Sequence, residues 1–223
     1  VQEEHSVPIV AFRAAFAGGL RFETTMNNGL TSLLARTMTR GTTSIDAEQI
    51  SHLVDRLAGS MSAMAGRSSM TLRGDFLSKY FKDGSELFAD VLLHPAFSDG
   101  EFKREKMLQL HDIAARDDRP SSVVFDLFAK TLYATHPYRL SSLGEKQSVS
   151  NIQAADLHDY HGRFLNPADM TLAVVGDVET DEVLAYAEKY FSAKSEPSTS
   201  VAAIAAEPPW NGARRAERHL AKA

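Results

Sequence analysis

Few side chains in this sequence are spaced for chemistry. His158 and His161 stand three residues apart in HDYHGRF, with Asp156 and Asp159 beside them. Two imidazoles on one helical face can ligate a metal ion. The same spacing also describes the polar face of an ordinary helix whose Leu157 and Tyr160 turn inward. His111-Asp112 pairs a base with an acid, but adjacent helical residues point about 100° apart, which separates the two side chains. There is no G-x-S-x-G, S-x-x-K or G-x-x-x-x-G-K-[ST] run, so nucleophile and phosphate-loop chemistries have no motif here. The absence of cysteine excludes disulfides, thiolate metal sites and a cysteine nucleophile, and leaves the compartment, cytoplasmic or periplasmic, undecided. Arg67, Arg73 and Arg139 are candidates for gripping a peptide.

The stretch that organises the rest is Gly29–Thr42, GLTSLLARTMTRGT. Leu30, Leu33, Leu34 and Met38 make the apolar stripe of a core-packed helix, and Ser32, Ala35, Arg36 and Thr39 collect opposite. Asn27 or Asn28 can cap its start and Gly41 its end. Read alone, the Ser32/Ala35/Arg36 face is either solvated surface or the wall of a site.

Around this helix the pattern predicts a strand over Val7–Ala17 and a helix capped by Ser44-Ile45-Asp46 that runs to Leu57, burying Ile50, Leu53, Val54 and Leu57. Two alternating strands follow, Ser60–Gly66 and Ser69–Phe76. Further helices cover Lys79–Leu93, with Phe81, Leu87, Phe88, Val91 and Leu92 inward, and Phe102–Arg116, with Phe102, Met107, Leu110, Ile113 and Ala114 on one side. Another starts at Pro120 and runs to about Tyr133. An irregular connection spans His136 to Ile152, then a helix Ala154–Phe164. Met170–Val175 reads as a buried strand. The last helix, Asp181–Phe191, should bury Val183, Leu184, Ala187 and Tyr190.

With these elements in order, the chain resembles the pitrilysin/insulinase-type (M16) zinc metallopeptidases. Their hallmark helix reads roughly G-x-x-H-F-L-E-H-x-x-x-x-G-T, an inverted zinc motif. Gly29, Leu34, Gly41 and Thr42 match that frame. The two histidine positions fall on Ser32 and Arg36, and the glutamate position on Ala35. Glu105–Ile113 (EKMLQLHDI) matches the later helix that supplies the third ligand, which falls on Asp112. Pro95-Ala96-Phe97, Asp117-Asp118, His136-Pro137-Tyr138, Gly144 and Val174–Asp177 follow in family order.

The resemblance implies an α+β fold: a mixed, largely antiparallel sheet with helices packed mainly on one face. It also implies a non-catalytic copy of the domain. Catalytic zinc needs three protein ligands, an open position and a base beside it. Here the metal-site positions Ser32, Ala35, Arg36 and Asp112 are degenerate, and neither a catalytic nor a metal-ligating set is expected. A guanidinium about 4 Å from a dication opposes binding by several kcal/mol even at an effective dielectric of about 20. Arg36 is expected to pair with Asp112 or another carboxylate instead. The substrate-gripping Arg and Tyr of the family come from a later domain, so the substrate-binding residues here are unknown.

Zinc is expected in the catalytic half of a longer parent and no cofactor in this domain. The implied partners are that catalytic half, on the same chain or a partner subunit, and a peptide in a shared chamber. Two rivals stand beside this reading: a structural relative like the core subunits of respiratory complexes, and an enzyme built on His158 and His161.

Composition bounds the alternatives. In 223 residues, 43% apolar content suffices for a core. A net charge of −5 does not suit a nucleic-acid partner. No apolar run approaches the roughly 18 residues of a membrane span, and no basic segment followed by an apolar block opens the chain. The expected organisation is a domain at 1–191, a Ser/Ala/Pro-rich linker at 192–209 and a further segment begun at 210–223. The whole reads as a piece of a longer protein, with an exposed apolar patch or a homodimer that covers it.

Overall fold

Strict alternation of large apolar residues with small or polar ones builds the sheet. In the computed structural model, which describes residues 1–192, 204, 206–209 and 212–219, five strands form: β1 (Gln2–Glu3), β2 (Ile9–Ala17), β3 (Ser60–Ala65), β4 (Ser69–Leu77) and β5 (Thr171–Gly176). Their order across the sheet is β1-β5-β2-β4-β3. Only β1 and β5 run parallel; β2 lies antiparallel between β4 and β5, with Phe12 opposite Gly74 and Val174. Val10, Phe12, Ala14 and Phe16 of β2 point into the core with Met70, Leu72 and Phe76 of β4, while Ala11, Arg13 and Ala15 stay partly exposed. This is the half-buried sheet of an α+β fold rather than a sheet buried on both faces.

Eight α-helices complete the described chain: α1 (Leu30–Met38), α2 (Ala47–Arg56), α3 (Phe81–Leu93), α4 (Asp99–Asp117), α5 (Pro120–Leu132), α6 (Lys146–Asn151), α7 (Ala154–Phe164) and α8 (Thr180–Phe191). The Phe12 ring shows how they seat on the sheet. Its centroid lies 5.7 Å from Phe81 and 5.4 Å from Phe88 of α3, and 5.8 Å from Tyr186 of α8. Each such aromatic contributes about 1.5–3 kcal/mol through burial. Gly84 permits the close approach of α3, since a Cβ there would lie 2.7 Å from the Phe76 ring. Its low helix propensity is offset by that contact.

Several expectations are corrected. The two-residue β1 has no periodicity to betray it. The connection from His136 to Ile152 is not irregular throughout, because α6 forms within it. Met170–Val175 was expected to be buried, yet β5 alternates and leaves Val175 exposed. In α8 the buried residues are Val183 and Tyr186, Tyr190 packs beside them as expected, and Leu184 faces outward.

The largest correction concerns α4. Met107 is 65% exposed and Ala114 is exposed too, while Glu105, Gln109 and Arg116 are buried beside Phe102 and Ile113. The inner face of α4 is therefore polar, and an apolar count cannot find it. Its buried groups hold loops. Gln109 Nε2 donates to the carbonyls of Gly29 and Leu143 at 2.9 and 2.8 Å. Arg116 Nη1 donates to Ser141 Oγ and to the Gly144 carbonyl, and its guanidinium also faces Asp117, Asp126 and Glu145. Desolvation raises the Asp126 pKa against the pull of Arg116.

Most of the expected linker, 192–209, and part of 210–223 lie outside the described residues. Among the described residues, no helix is long and apolar enough to cross a membrane.

Candidate functional site: a motif helix and its partner

Helix α1 begins at a position only glycine can hold. Gly29 has φ 95°, and a Cβ there would sit 2.7 Å from the Leu143 carbonyl oxygen. The sequence suggests Asn27 or Asn28 as the cap of this helix, but neither caps it. Asn27 Oδ1 accepts from Thr24 instead, and the cap comes from Glu23, six residues before Gly29. One Glu23 oxygen accepts from Gly29 N and Asn28 Nδ2, each at 2.8 Å; the other accepts from Thr31 N at 2.8 Å and from the Thr31 hydroxyl at 2.5 Å. Burial raises the Glu23 pKa, and these donors pull it back part of the way. The carboxylate also lies at the positive end of the helix dipole. Nothing in the spacing of the sequence announces Glu23. The only hint is a helix that starts at Gly with an acid upstream and no Ser, Thr or Asp at its cap.

Beyond the other end of α1, Gly41 has φ 129°. Thr42 Oγ1 accepts from Ser44 N and Ile45 N, each at 3.1 Å, and so shapes the turn into α2. Asp46 then caps α2 through Gln49 N at 2.8 Å.

The degenerate positions converge across two helices. Arg36 Nη2 donates to Asp112 Oδ2 at 2.6 Å, bridging α1 and α4 over 76 residues of sequence. A second rung lies beside it, with Arg40 Nε 3.0 Å from the buried Glu105 carboxylate. Ser32 and Arg36 are half-buried one turn apart. Ala35 is only 6% exposed and belongs to the core, so it does not share an open face with them. Helix α1 packs on β3, α4 and α7 together, which leaves it no broad solvated side.

These residues do not fit zinc. The only carboxylate in the set already accepts a charged hydrogen bond from a guanidinium that stays protonated. Ser32 and Ala35 supply neither imidazole nor base. The arrangement stitches α1 to α4.

The histidine pair of α7 is structural as well. His161 Nε2 lies 2.8 Å from the Leu92 carbonyl, so it donates to the C-terminal end of α3. The rings of His158 and His161 flank Phe97 at 5.0 and 5.9 Å. Among the described residues, no group of three His, Asp or Glu side chains is placed to hold a metal ion. Asp156 accepts from Gln153 N at 2.7 Å and caps α7. Burial lowers the His161 pKa below its ordinary 6.5 despite the Leu92 carbonyl, and nearby His158 and His94 lower it further.

The folded state thus holds fewer protons at His161 than the unfolded chain. Stability should be fully present above pH 6.5 and decline as pH falls from there through the lower folded pKa. Urea unfolding at pH 8 and pH 5.5 is expected to show the loss, and His161→Gln should shrink it. An unchanged pH dependence in the variant would assign the effect elsewhere.

The candidate peptide-gripping arginines are occupied locally. Arg67 lies 5.4 Å from the Tyr138 ring centroid, Arg73 meets Met64 Sδ, and Arg139 is half-buried.

A mixed sheet with a glycine-started helix clamped to a second helix is the α+β domain of the peptidase class that the sequence resembles. Comparison with known proteins agrees. The family model described as insulinase (peptidase family M16) matches residues 1–146, and that described as peptidase M16 inactive domain matches residues 151–221. An uncharacterized zinc protease of Bacillus subtilis is 25% identical over 191 residues, covering 86% of this chain and 46% of that protein. The mouse cytochrome b-c1 complex subunit 1, mitochondrial, is 27% identical over 177 residues, covering 79% of this chain and 37% of that protein.

Two solved structures share the fold. A protease from Helicobacter pylori superposes with a TM-score of 0.83 at 21% identity, covering 96% of this chain and 55% of that one. A peptidase M16 inactive domain from Pseudomonas fluorescens gives 0.83 at 24% identity, covering 92% and 50%. This chain belongs to peptidase family M16. It spans about half the length of the curated relatives it matches.

Proposed function

We propose that this domain is a non-catalytic copy within an M16-type zinc metalloendopeptidase, forming part of the chamber wall and supporting an active half elsewhere. The observation that carries the reading is the Arg36–Asp112 pair at 2.6 Å. It joins the two helices at the family's ligand positions and replaces metal chemistry with a cross-link. Zinc then belongs to the catalytic half, on the same longer chain or a partner subunit, and the peptide substrate to the chamber between them. The 1–191 unit is a single α+β domain in this reading.

The test is reconstitution. The longer parent is purified with the subunit or half that carries an intact H-x-x-E-H, and zinc-dependent cleavage of a peptide library is measured with and without the parent's non-catalytic half. Cleavage should fall at least tenfold when that half is omitted. An active half that cleaves equally well alone would sink the proposal.

The similarity to the mouse b-c1 subunit supports a second reading, a structural or assembly relative with no peptidase role. That reading predicts no H-x-x-E-H in the parent or in a neighbouring gene, and a stable complex without cleavage.

A further inference from the structure

Helix α5 ends in a charge pattern that the elements around it do not use. Its last carbonyls, those of Thr131 and Leu132, point out of the helix, and just past Tyr133 the three residues Ala134, Thr135 and His136 turn their N–H groups together. Carbonyls at a helix C-terminus attract a cation. Converging N–H groups form a nest for an anion.

Both are filled from far along the chain. Arg214 Nη1 donates to the Thr131 and Leu132 carbonyls, each at 3.1 Å. The Glu207 carboxylate accepts from Ala134 N at 2.8 Å, from Thr135 N at 2.9 Å, from the Thr135 hydroxyl at 3.2 Å and from His136 N. Each charge meets the backbone pole that suits it, and the two sit seven residues apart on one segment.

We infer that Glu207 and Arg214, in the described stretches 206–209 and 212–219, form a latch that clips this part of the chain onto the end of α5 and holds the 134–138 turn in one conformation. That turn has work to do. His136 Nδ1 accepts from Tyr138 N at 3.1 Å, and the Tyr138 hydroxyl meets Ser68 at the tip of the β3–β4 hairpin. The same hairpin tip bonds the segment before α1, with the Gly66 and Arg67 carbonyls accepting from Leu20 N and Arg21 N at 3.1 and 2.8 Å. The latch therefore buttresses the hairpin beside the motif helix. It operates whether or not a catalytic half is present. The anion is secure at ordinary pH: desolvation opposes ionisation, but the three backbone N–H groups and the Thr135 hydroxyl bring the Glu207 pKa down to about 2.

Residue-resolved hydrogen exchange on the full chain tests the latch. Glu207→Ala should speed exchange at Ala134, Thr135 and His136 by about 10- to 100-fold, the range for losing hydrogen bonds to a charged acceptor, with the β2 and β4 amides unchanged. Glu207→Gln, which keeps one acceptor oxygen, should fall between parent and Ala. Arg214→Ala should speed tryptic cutting after Arg215 and Arg218 at least tenfold. Unchanged exchange at the three amides in Glu207→Ala would overturn the inference. An equal rise across β2 and β4, which marks global loosening, would overturn it too.

Discussion

Replacing Ser32 and Arg36 with histidine and Asp112 with glutamate is expected to create a site that binds about one zinc per chain. Arg36 and Asp112 already meet at 2.6 Å, so side chains from these two positions of α1 and α4 point into the same space. Ser32 lies one helical turn before Arg36, which places the two new imidazoles on one face. Removing the guanidinium deletes the charge that opposes a dication, and the extra methylene of glutamate restores reach.

Metal analysis after dialysis measures the gain. Zinc at about 100 times its dissociation constant should add roughly 2.7 kcal/mol of stability, a rise of about 5–10 °C in Tm for a domain of this size. Proteolysis should remain absent, because Ala35 provides no base. Adding Ala35→Glu carries its own cost, since that position is nearly buried in the core and an unpaired carboxylate there is expensive. Should the triple variant take up no more zinc than the parent, Ser32, Arg36 and Asp112 do not converge, and the placement of the family frame on this chain is wrong.

The second large effect is expected at Glu23. Truncation to alanine should cost about 3–5 kcal/mol, since several buried neutral donors lose their acceptor at about 1–3 kcal/mol apiece, out of a total of roughly 5–15 kcal/mol. Four donors lose their acceptor at once, two of them backbone N–H groups at the start of α1. Glu23→Gln should recover little of the loss. Both carboxylate oxygens accept from N–H donors, so the amide NH2 must face one of them in either orientation. Equilibrium urea unfolding reads the difference directly. A loss below about 1 kcal/mol for alanine would mean that water satisfies the helix start, and that Glu23 does not hold α1 in place.

The elements themselves were legible in the residues. Period-two alternation drew β2, β3 and β4 to within two or three residues, and the spacing of Leu30, Leu33, Leu34 and Met38 marked α1. The residue types at positions 32, 35, 36 and 112 were legible too, because folding cannot change which side chains the chain carries there. Local pattern carries these features, since each rests on neighbours within a turn or along one strand.

What tertiary structure alone decided involves groups far apart in sequence. On the polar inner face of α4, Glu105, Gln109 and Arg116 meet partners from other parts of the chain, and a hydrophobic period cannot register a buried polar residue whose partner is remote. Ala35 shows the same limit: helical geometry placed it opposite the apolar stripe, but packing against β3, α4 and α7 encloses α1 on several sides and buries it. Glu23 caps a helix from outside the capping position because the loop before Gly29 folds back over the helix start. Sequence spacing specifies which side chains share a face. Only the assembled backbone specifies what that face meets, because the partners' positions depend on the sheet and helices packing together.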